Sequence, residues 1–110
     1  MSARLTSAML VSAMLRRIGE SGGAGMVLAK GDATAGAILV ALAERGITHG
    51  LVERALGVDG YALVPTGPAD LAAPGAISDY IARRRGRDPD LWVVELEGAA
   101  AAGIARDTIG

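Results

Sequence analysis

The first part of the chain has the hydrophobic spacing of an amphipathic helix. Between Ala8 and Ile18 the apolar residues recur at the spacing of helical turns, and the remaining positions are mostly polar. This spacing places the apolar side chains on one face of a helix. We therefore predict a helix within residues 1–20 that packs its apolar face on a core and ends at the glycines that follow.

The middle of the chain has the pattern of short strands joined by short turns. The apolar stretches are residues 25–30, 37–43, 47–56 and 61–64. Residues 37–43 (AILVALA) are uniformly apolar, which is typical of a central strand covered on both faces, whereas residues 47–56 alternate. Short strands with short connections favour an antiparallel meander.

A short arginine-rich helix follows the longest irregular stretch. Ile77, Tyr80 and Ile81 lie at the spacing of one helical face. Gly86 is predicted to end this helix in the left-handed conformation, and Pro89 prevents its continuation.

The last predicted strand spans residues 91–97 and alternates with a period of two. One face holds Trp92, Val94 and Leu96, and the other holds Val93, Glu95 and Glu97. We interpret the two glutamates as the solvent side of an outer strand.

These patterns predict an α+β fold. An antiparallel sheet of about four to five short strands packs against the N-terminal helix and a second helix before the last strand. The 110 residues form a single domain, 1–110, in which residues 99–110 are either a short helix or a frayed tail.

The amino-acid composition limits the kinds of core, partner and location that the protein can have. The chain is 51% hydrophobic but 3% aromatic, so the core must consist mainly of aliphatic side chains. The net charge of -1 produces no global attraction to nucleic acid or to an anionic membrane. The chain has no cysteine, which is compatible with a cytoplasmic location. Residues 1–20 lack a signal-peptide cleavage region, and their apolar part is too short to cross a bilayer.

No stretch has the spacing of an established catalytic or cofactor motif. Gly25 and Lys30 have part of the phosphate-loop spacing, but the second glycine and the Ser or Thr after the lysine are missing. His49 is the only histidine and is interpreted as a residue on the sheet surface. We predict no cofactor.

Four carboxylates near the end of the chain raise a metal hypothesis. Asp88, Asp90, Glu95 and Glu97 resemble the acidic half of a metal-dependent nuclease site. The expected lysine is missing after Leu96, where Glu97 stands instead. A metal-dependent hydrolase at Asp88, Asp90 and Glu95 is therefore the least favoured of our hypotheses.

The candidate binding surface is the arginine cluster and the corner that follows it. Its members are Arg83, Arg84, Arg85, Arg87, Asp88 and Asp90. Guanidinium groups bind phosphate and carboxylate groups through paired hydrogen bonds. The alternative is that the arginines are neutralised by Asp88, Asp90 and the last helix carbonyls while their stems cover Trp92. In either case the Asp88 side chain is predicted to accept the N–H of Asp90.

Several stretches together resemble one protein family. They are residues 4–17 (RLTSAMLVSAMLRR), the glycine pair and VLAKGDATAGAILV at 22–40, Glu53-Arg54, and DYIARRRGRDPDLWVVELE at 79–97. This combination is similar to the short bacterial proteins of domain-of-unknown-function family 1491. The resemblance implies a cytoplasmic bacterial setting and no established activity.

Three functional hypotheses follow, in order of preference. The first is a small non-enzymatic protein-interaction module that binds an unknown protein partner or itself. The second is RNA or phosphate-ligand binding through Arg83–Arg87, and the third is the metal-dependent hydrolase. No membrane partner is predicted.

Overall fold

The structure, a computed structural model, describes residues 5–110. Its three helices are α1 (Ser7–Glu20), α2 (Ala76–Arg87) and α3 (Ala101–Ile109). Its five strands are β1 (Ala24–Ala29), β2 (Ile38–Glu44), β3 (Ile47–Gly57), β4 (Gly60–Thr66) and β5 (Trp92–Glu97). The predicted α+β class is confirmed, and the part of the predicted first helix within residues 1–4 lies outside the described residues.

The strands form one sheet in the order β1-β5-β2-β3-β4. β2, β3 and β4 form part of the predicted antiparallel meander, but β1, which the prediction also included, is separated from β2 by β5. β5 enters between β1 and β2 and pairs antiparallel with β1 and parallel with β2. The sheet is therefore mixed but mostly antiparallel, and the interpretation of residues 91–97 as an outer strand is wrong.

Helices cover both faces of the sheet. α1 and α3 lie on one face, which we call the α1/α3 face, and α2 lies on the other, which we call the α2 face. The α1/α3 face buries Met14 and Ile18 of α1 against Val40, Val94 and Leu96 of the central strands. The α2 face buries a smaller cluster comprising Leu39, Ala41, Leu51, Leu91 and Val93. The two clusters explain why the central strands are apolar on both sides.

The predicted central strand is confirmed in β2, whose residues 38–43 are all buried. In β5, Trp92, Val94 and Leu96 share the α1/α3 face, as the alternation predicts. Val93 is buried on the α2 face, and Glu95 and Glu97 are only half-buried there. An interior strand can carry these glutamates because the α2 cluster does not extend to that end of the face.

Local signals at the element ends are partly confirmed. The turn between β2 and β3 places Arg45 (φ 54°) and Gly46 (φ 79°) in the left-handed region, the pattern of a two-residue hairpin turn.

α2 runs through Gly86 to Arg87, so the predicted stop at Gly86 is wrong. The tail is a helix, and α3 buries Ala101, Ala105 and Ile109.

Candidate functional site

The arginine cluster divides into two inward-directed and two exposed side chains. Arg84 reaches across the α2 face to β3, where its Nη1 and Nη2 atoms lie 3.1 Å and 2.6 Å from the two carboxylate oxygens of Glu53. About a quarter of each side chain is exposed, 25% for Arg84 and 22% for Glu53. Arg84 is thus neutralised, but by a residue of the sheet and not by Asp88 or Asp90.

The same guanidinium belongs to a polar network with Tyr80 and Thr66. Arg84 Nη1 donates to the Tyr80 hydroxyl at 2.8 Å, and that hydroxyl lies 2.6 Å from Thr66 Oγ1. Burial by itself raises the pKa of Tyr80, but the hydrogen bonds with Thr66 and Arg84, together with the arginine charge, lower that pKa overall. The hydrogen bond to Glu53 raises the pKa of Arg84, so this side chain remains a cation. The network connects α2 to β3 and β4.

Arg85 binds backbone carbonyls. Its Nη2 atom donates to the carbonyl oxygens of Lys30 (3.2 Å) and Pro89 (3.1 Å), and its Nε donates to that of Leu91 (3.3 Å). These carbonyls belong to the segments at the ends of β1 and β5, so Arg85 stabilises the corner after α2. Trp92 lies on the opposite face of the sheet, so the interpretation that arginine stems cover Trp92 is wrong.

Arg83 and Arg87 are the exposed members of the cluster. Neither makes a side-chain hydrogen bond or an ion pair with any residue in the range 5–110. The Asp88 carboxylate accepts the N–H of Asp90 at 3.1 Å, which is the predicted turn. Arg83 and Arg87 are four positions apart on α2, so they lie on the same side of the helix.

The carboxylates of the metal hypothesis do not converge. Asp88 is engaged in its turn, and Glu95 lies on β5 opposite Met26 of β1. Within residues 5–110 there is no group of three or more histidine, aspartate or glutamate residues that could hold a metal ion. The structure therefore gives the metal hypothesis no geometric support.

The GDATAG loop (residues 31–36) and the DPDLW corner after α2 (residues 88–92) are joined by hydrogen bonds and close packing. The Trp92 indole N–H donates to the Asp32 carbonyl at 2.7 Å, and Asp32 N donates to the Asp90 carbonyl at 3.0 Å. A Cβ atom on Gly31 or Gly36 would overlap that Asp90 carbonyl oxygen. These two blocks, which carry much of the family resemblance, therefore form a structural joint.

The start of α1 is held by the same loop. The Ser7 hydroxyl is buried and donates to the Gly36 carbonyl at 2.6 Å, and the backbone N–H of Ser7 donates to the Thr34 carbonyl at 3.1 Å. Asp32 shapes the loop by accepting the N–H groups of Thr34 and Ala35. The distinctive residues of this loop therefore make contacts that hold α1 and the corner after α2 in place.

The clearest unpartnered surface is the β1 edge, which we define as strand β1 with the exposed side chains of Met26, Val27 and Leu28. Their exposed fractions are 57%, 37% and 44%. Met26 lies opposite Glu95 on the α2 face, Val27 lies opposite Val94 on the α1/α3 face, and Leu28 falls where the register shifts. No residue of Ala24–Ala29 is charged or is proline. The edge thus lacks the side chains that normally keep an edge strand from pairing.

The opposite edge of the sheet is different. β4 contains Pro65, which has no N–H to donate, and Arg54 of β3 stacks 4.6 Å above the Tyr61 ring. A shallow, mostly apolar groove of about 470 Å³ lies between α3 and the β3–β4 hairpin. The hairpin tip carries the fully exposed Val58. This region is a second apolar surface, distant from β1 in the strand order.

Sequence reasoning missed both Glu53 as the partner of Arg84 and the β1 edge. The pair is 31 positions apart, so no local spacing indicates it. The edge did leave a signal, because Met26-Val27-Leu28 is an uninterrupted apolar run in a short strand. Whether such a run is central or at an edge depends on strand order, which the run itself does not contain.

Fold and surface together define an α+β protein with a mixed five-stranded sheet, helices on both faces and an open apolar edge at β1. The sequence matches the family described as "Protein of unknown function (DUF1491)" over residues 5–106. The chain belongs to the DUF1491 family. None of the curated proteins matches the sequence.

Solved structures of similar proteins have the same fold. A crystal structure of a DUF1491 family protein from Caulobacter crescentus CB15 is 33% identical, with a TM-score of 0.73 over 86% of this chain and 89% of that one. An NMR structure of a DUF1491 family protein from the same organism is 32% identical, with a TM-score of 0.72 over 86% of both chains. The solution structure of protein Atu0922 from A. tumefaciens is 32% identical, with a TM-score of 0.67 over 87% of both chains.

The length and hydrophobicity of the helices indicate whether any of them could cross a membrane. Within residues 5–110, none of them has the length and apolar character that crossing a bilayer requires.

Proposed function

We propose that this protein is a small non-enzymatic protein-interaction module that binds an extended protein segment along its β1 edge. The observation that carries the proposal is the exposure of Met26, Val27 and Leu28 on a strand with one unpaired side. An extended segment added to such an edge gains main-chain hydrogen bonds, and its alternate side chains contact both faces. We place the module in the bacterial cytoplasm, in keeping with the bacterial origin of the structural relatives.

The contacts on the α2 face support the proposal that binding occurs at the β1 edge. The half-buried polar cluster of Glu53, Thr66, Tyr80 and Arg84 is satisfied internally and joins α2 to the sheet. The loop and corner that carry much of the family resemblance are likewise occupied with each other. The β1 edge is a strand edge whose apolar exposure these internal contacts do not explain.

Site-specific photocrosslinking tests the proposal. A benzophenone amino acid replaces Leu28, and in a matched control it replaces Val58 at the exposed hairpin tip. We expect adducts at position 28 that map by mass spectrometry to one contiguous protein segment, and we expect Met26→Lys to remove them because a charge protects an edge strand. Adducts at position 28 that are as dispersed as those at position 58 would argue against binding at the β1 edge.

A second candidate function is the binding of RNA or another phosphate ligand by Arg83 and Arg87. It is favoured by their exposure on one side of α2 without a partner among residues 5–110. Arg84 and Arg85 are unsuitable probes because they hold Glu53 and the corner carbonyls.

The second candidate is tested with a labelled single-stranded RNA oligonucleotide in a fluorescence anisotropy titration. Binding through phosphates must weaken as salt increases. Arg83→Glu/Arg87→Glu should abolish binding, whereas Arg16→Glu/Arg106→Glu, which changes the net charge equally, should retain it. Equal losses in the two double variants would indicate nonspecific attraction.

A further inference from the structure

We infer that the segment received by the β1 edge is the β1 strand of a second copy of this chain. The inference rests on the proposed function, because it names the partner of the same surface. Antiparallel pairing of two β1 strands would produce a twofold-symmetric dimer with a continuous ten-stranded sheet. Each copy would present the same patch to the other, as a closed symmetric interface requires.

The charges around β1 favour antiparallel self-pairing. Ala24–Ala29 carry no charge, and the nearest charged residue that follows them is Lys30. Glu95 and Glu97 lie on β5, on the side of β1 away from the free edge. Antiparallel pairing places the two Lys30 residues at opposite ends of the interface, so like charges do not meet. The centre of the interface then consists of Met26, Val27 and their counterparts, which pair apolar surface with apolar surface on both faces of the sheet.

The flank of α1 beside β1 also suits a second copy. Leu15 lies over Gly25, which places this side of α1 above β1, and Arg17 on the other side bonds to Thr108 of α3. Helical spacing places Ser12 and Gly19 on the same flank as Leu15. None of these three side chains is charged, the neighbouring Arg16 pairs with Glu20, and the space around a Cβ of Gly19 is open.

Twofold symmetry about an axis normal to the sheet brings the α1 helices of both copies to the same side. Their Ser12, Leu15 and Gly19 flanks then approach each other above the paired β1 strands. Small residues permit such an approach between helices, and the half-buried Leu15 supplies apolar contact. The surface offered to the second copy therefore consists of the strand edge and the flank of α1 formed by Ser12, Leu15 and Gly19.

Sedimentation velocity on the full chain across a concentration series tests the inference. The sedimentation coefficient of the wild type is expected to correspond to a mass of two chains. Met26→Lys/Leu28→Lys should sediment as a monomer, because it places four positive charges at the centre of the paired strands. Val58→Lys, which adds charge to an exposed apolar residue far from β1, should remain a dimer.

A second variant keeps the test decisive if the double lysine variant does not fold. Gly19→Glu changes an exposed position with open space on the α1 flank, and circular dichroism checks that its fold is intact. The like charges that this substitution adds to the two facing α1 flanks should weaken the dimer by at least about tenfold. A dimer that is unaffected by both variants would overturn the inference.

The results of the sedimentation and crosslinking experiments together distinguish a failure of the dimer inference from a failure of the proposed function. A strictly monomeric wild type overturns the second copy as the partner. In that case, position-28 adducts on a different protein still support an interaction module at the β1 edge. A monomer without specific adducts contradicts both. A dimer whose position-28 adducts map to residues 24–30 of this same chain supports both.

Discussion

Single residues show how closely the GDATAG loop packs against the corner after α2. Gly36 is buried, and its missing side chain leaves room for the Asp90 carbonyl oxygen. The same loop accepts the indole N–H of Trp92 and the hydroxyl of Ser7. Any added atom here must displace backbone that also holds the start of α1.

The first prediction compares two glycine substitutions. Gly36→Ala should lower the free energy of unfolding by about 2 kcal/mol or more, in the range of overpacking a filled site. Gly86→Ala should instead raise it by up to about 1 kcal/mol, because Gly86 lies within α2 with no atom near its Cβ position. Urea unfolding followed by circular dichroism measures both changes. Equal effects in the two variants would contradict the packing described for Gly36.

The second prediction concerns the pKa of Tyr80, which is lower in the folded chain than its ordinary value of 10.0. A lowered folded pKa means that the unfolded chain binds more protons between the two values, so stability rises with pH in that window. The contribution is complete above the ordinary pKa and is lost as the pH falls through the folded pKa. The difference in unfolding free energy between the wild type and Tyr80→Phe should therefore increase with pH across the alkaline range.

Urea unfolding of both proteins at a series of alkaline pH values measures this difference. Contributions common to the two chains cancel in the subtraction. A difference that stays constant or decreases with rising pH would contradict the arrangement of Thr66 and Arg84 around the Tyr80 hydroxyl.

At the scale of elements, α2 is attached to the sheet by apolar contacts and by one polar network. Ile77 and Ile81 pack on the α2 face, and Arg84 reaches Glu53 on β3. None of the α2 residues is fully buried. The ion pair is therefore a substantial part of what positions this helix on the sheet.

The third prediction is a double-mutant cycle on that pair. Arg84→Ala and Glu53→Ala should show a coupling free energy of roughly 1–3 kcal/mol, because the pair is shielded and its hydrogen bonds are charged. The matched cycle on Arg16 and Glu20 should give about 0.3–0.5 kcal/mol, since those side chains are 67% and 70% exposed. Denaturant unfolding of the single and double variants supplies both values. Similar coupling in the two cycles would contradict the structural role of Arg84.

At the scale of the whole molecule, β5 connects the two halves of the sheet. It pairs with β1 on one side and β2 on the other, and its side chains enter both cores. The β3–β4 hairpin extends beyond this centre and exposes Leu56 and Val58. Local stability should follow this gradient from the covered centre to the exposed tip.

The fourth prediction is a hydrogen-exchange pattern. Backbone amides of β2 and β5 should exchange slowest, at rates set by global unfolding, and those of residues 57–60 should exchange fastest among the strand region. Exchange measured by NMR or mass spectrometry tests this order. Slow exchange at the hairpin tip, comparable to that of β2, would mean that the tip is covered in solution.

Much of the local structure could be predicted from the sequence. The apolar run at residues 37–43 indicated a strand covered on both faces, and the alternation at 91–97 assigned Trp92, Val94 and Leu96 to one face. The spacing between Ala8 and Ile18 indicated the buried side of α1. These features depend on the period of side chains along a helix or strand, which neighbouring residues determine.

The arginine cluster shows where local pattern stops being informative. Its composition indicated either a free anion-binding surface or arginines neutralised by Asp88 and Asp90. The structure divides it differently, because Arg84 pairs with Glu53 on β3 and Arg85 binds carbonyls of two other segments. Such partners are distant in sequence, so only the packing of α2 across the sheet brings them together.

The sequence by itself determined the types of element, the shared face of Trp92, Val94 and Leu96, and the turn at Asp88, because each depends on nearby residues. The tertiary structure alone decided that β5 enters between β1 and β2, which residues meet the arginines, and which strand remains at an edge. Strand neighbours are chosen by the burial of apolar surface across the whole sheet, and no local spacing records that choice. The same choice leaves Met26, Val27 and Leu28 exposed, and so the surface on which the proposed function rests follows from the fold.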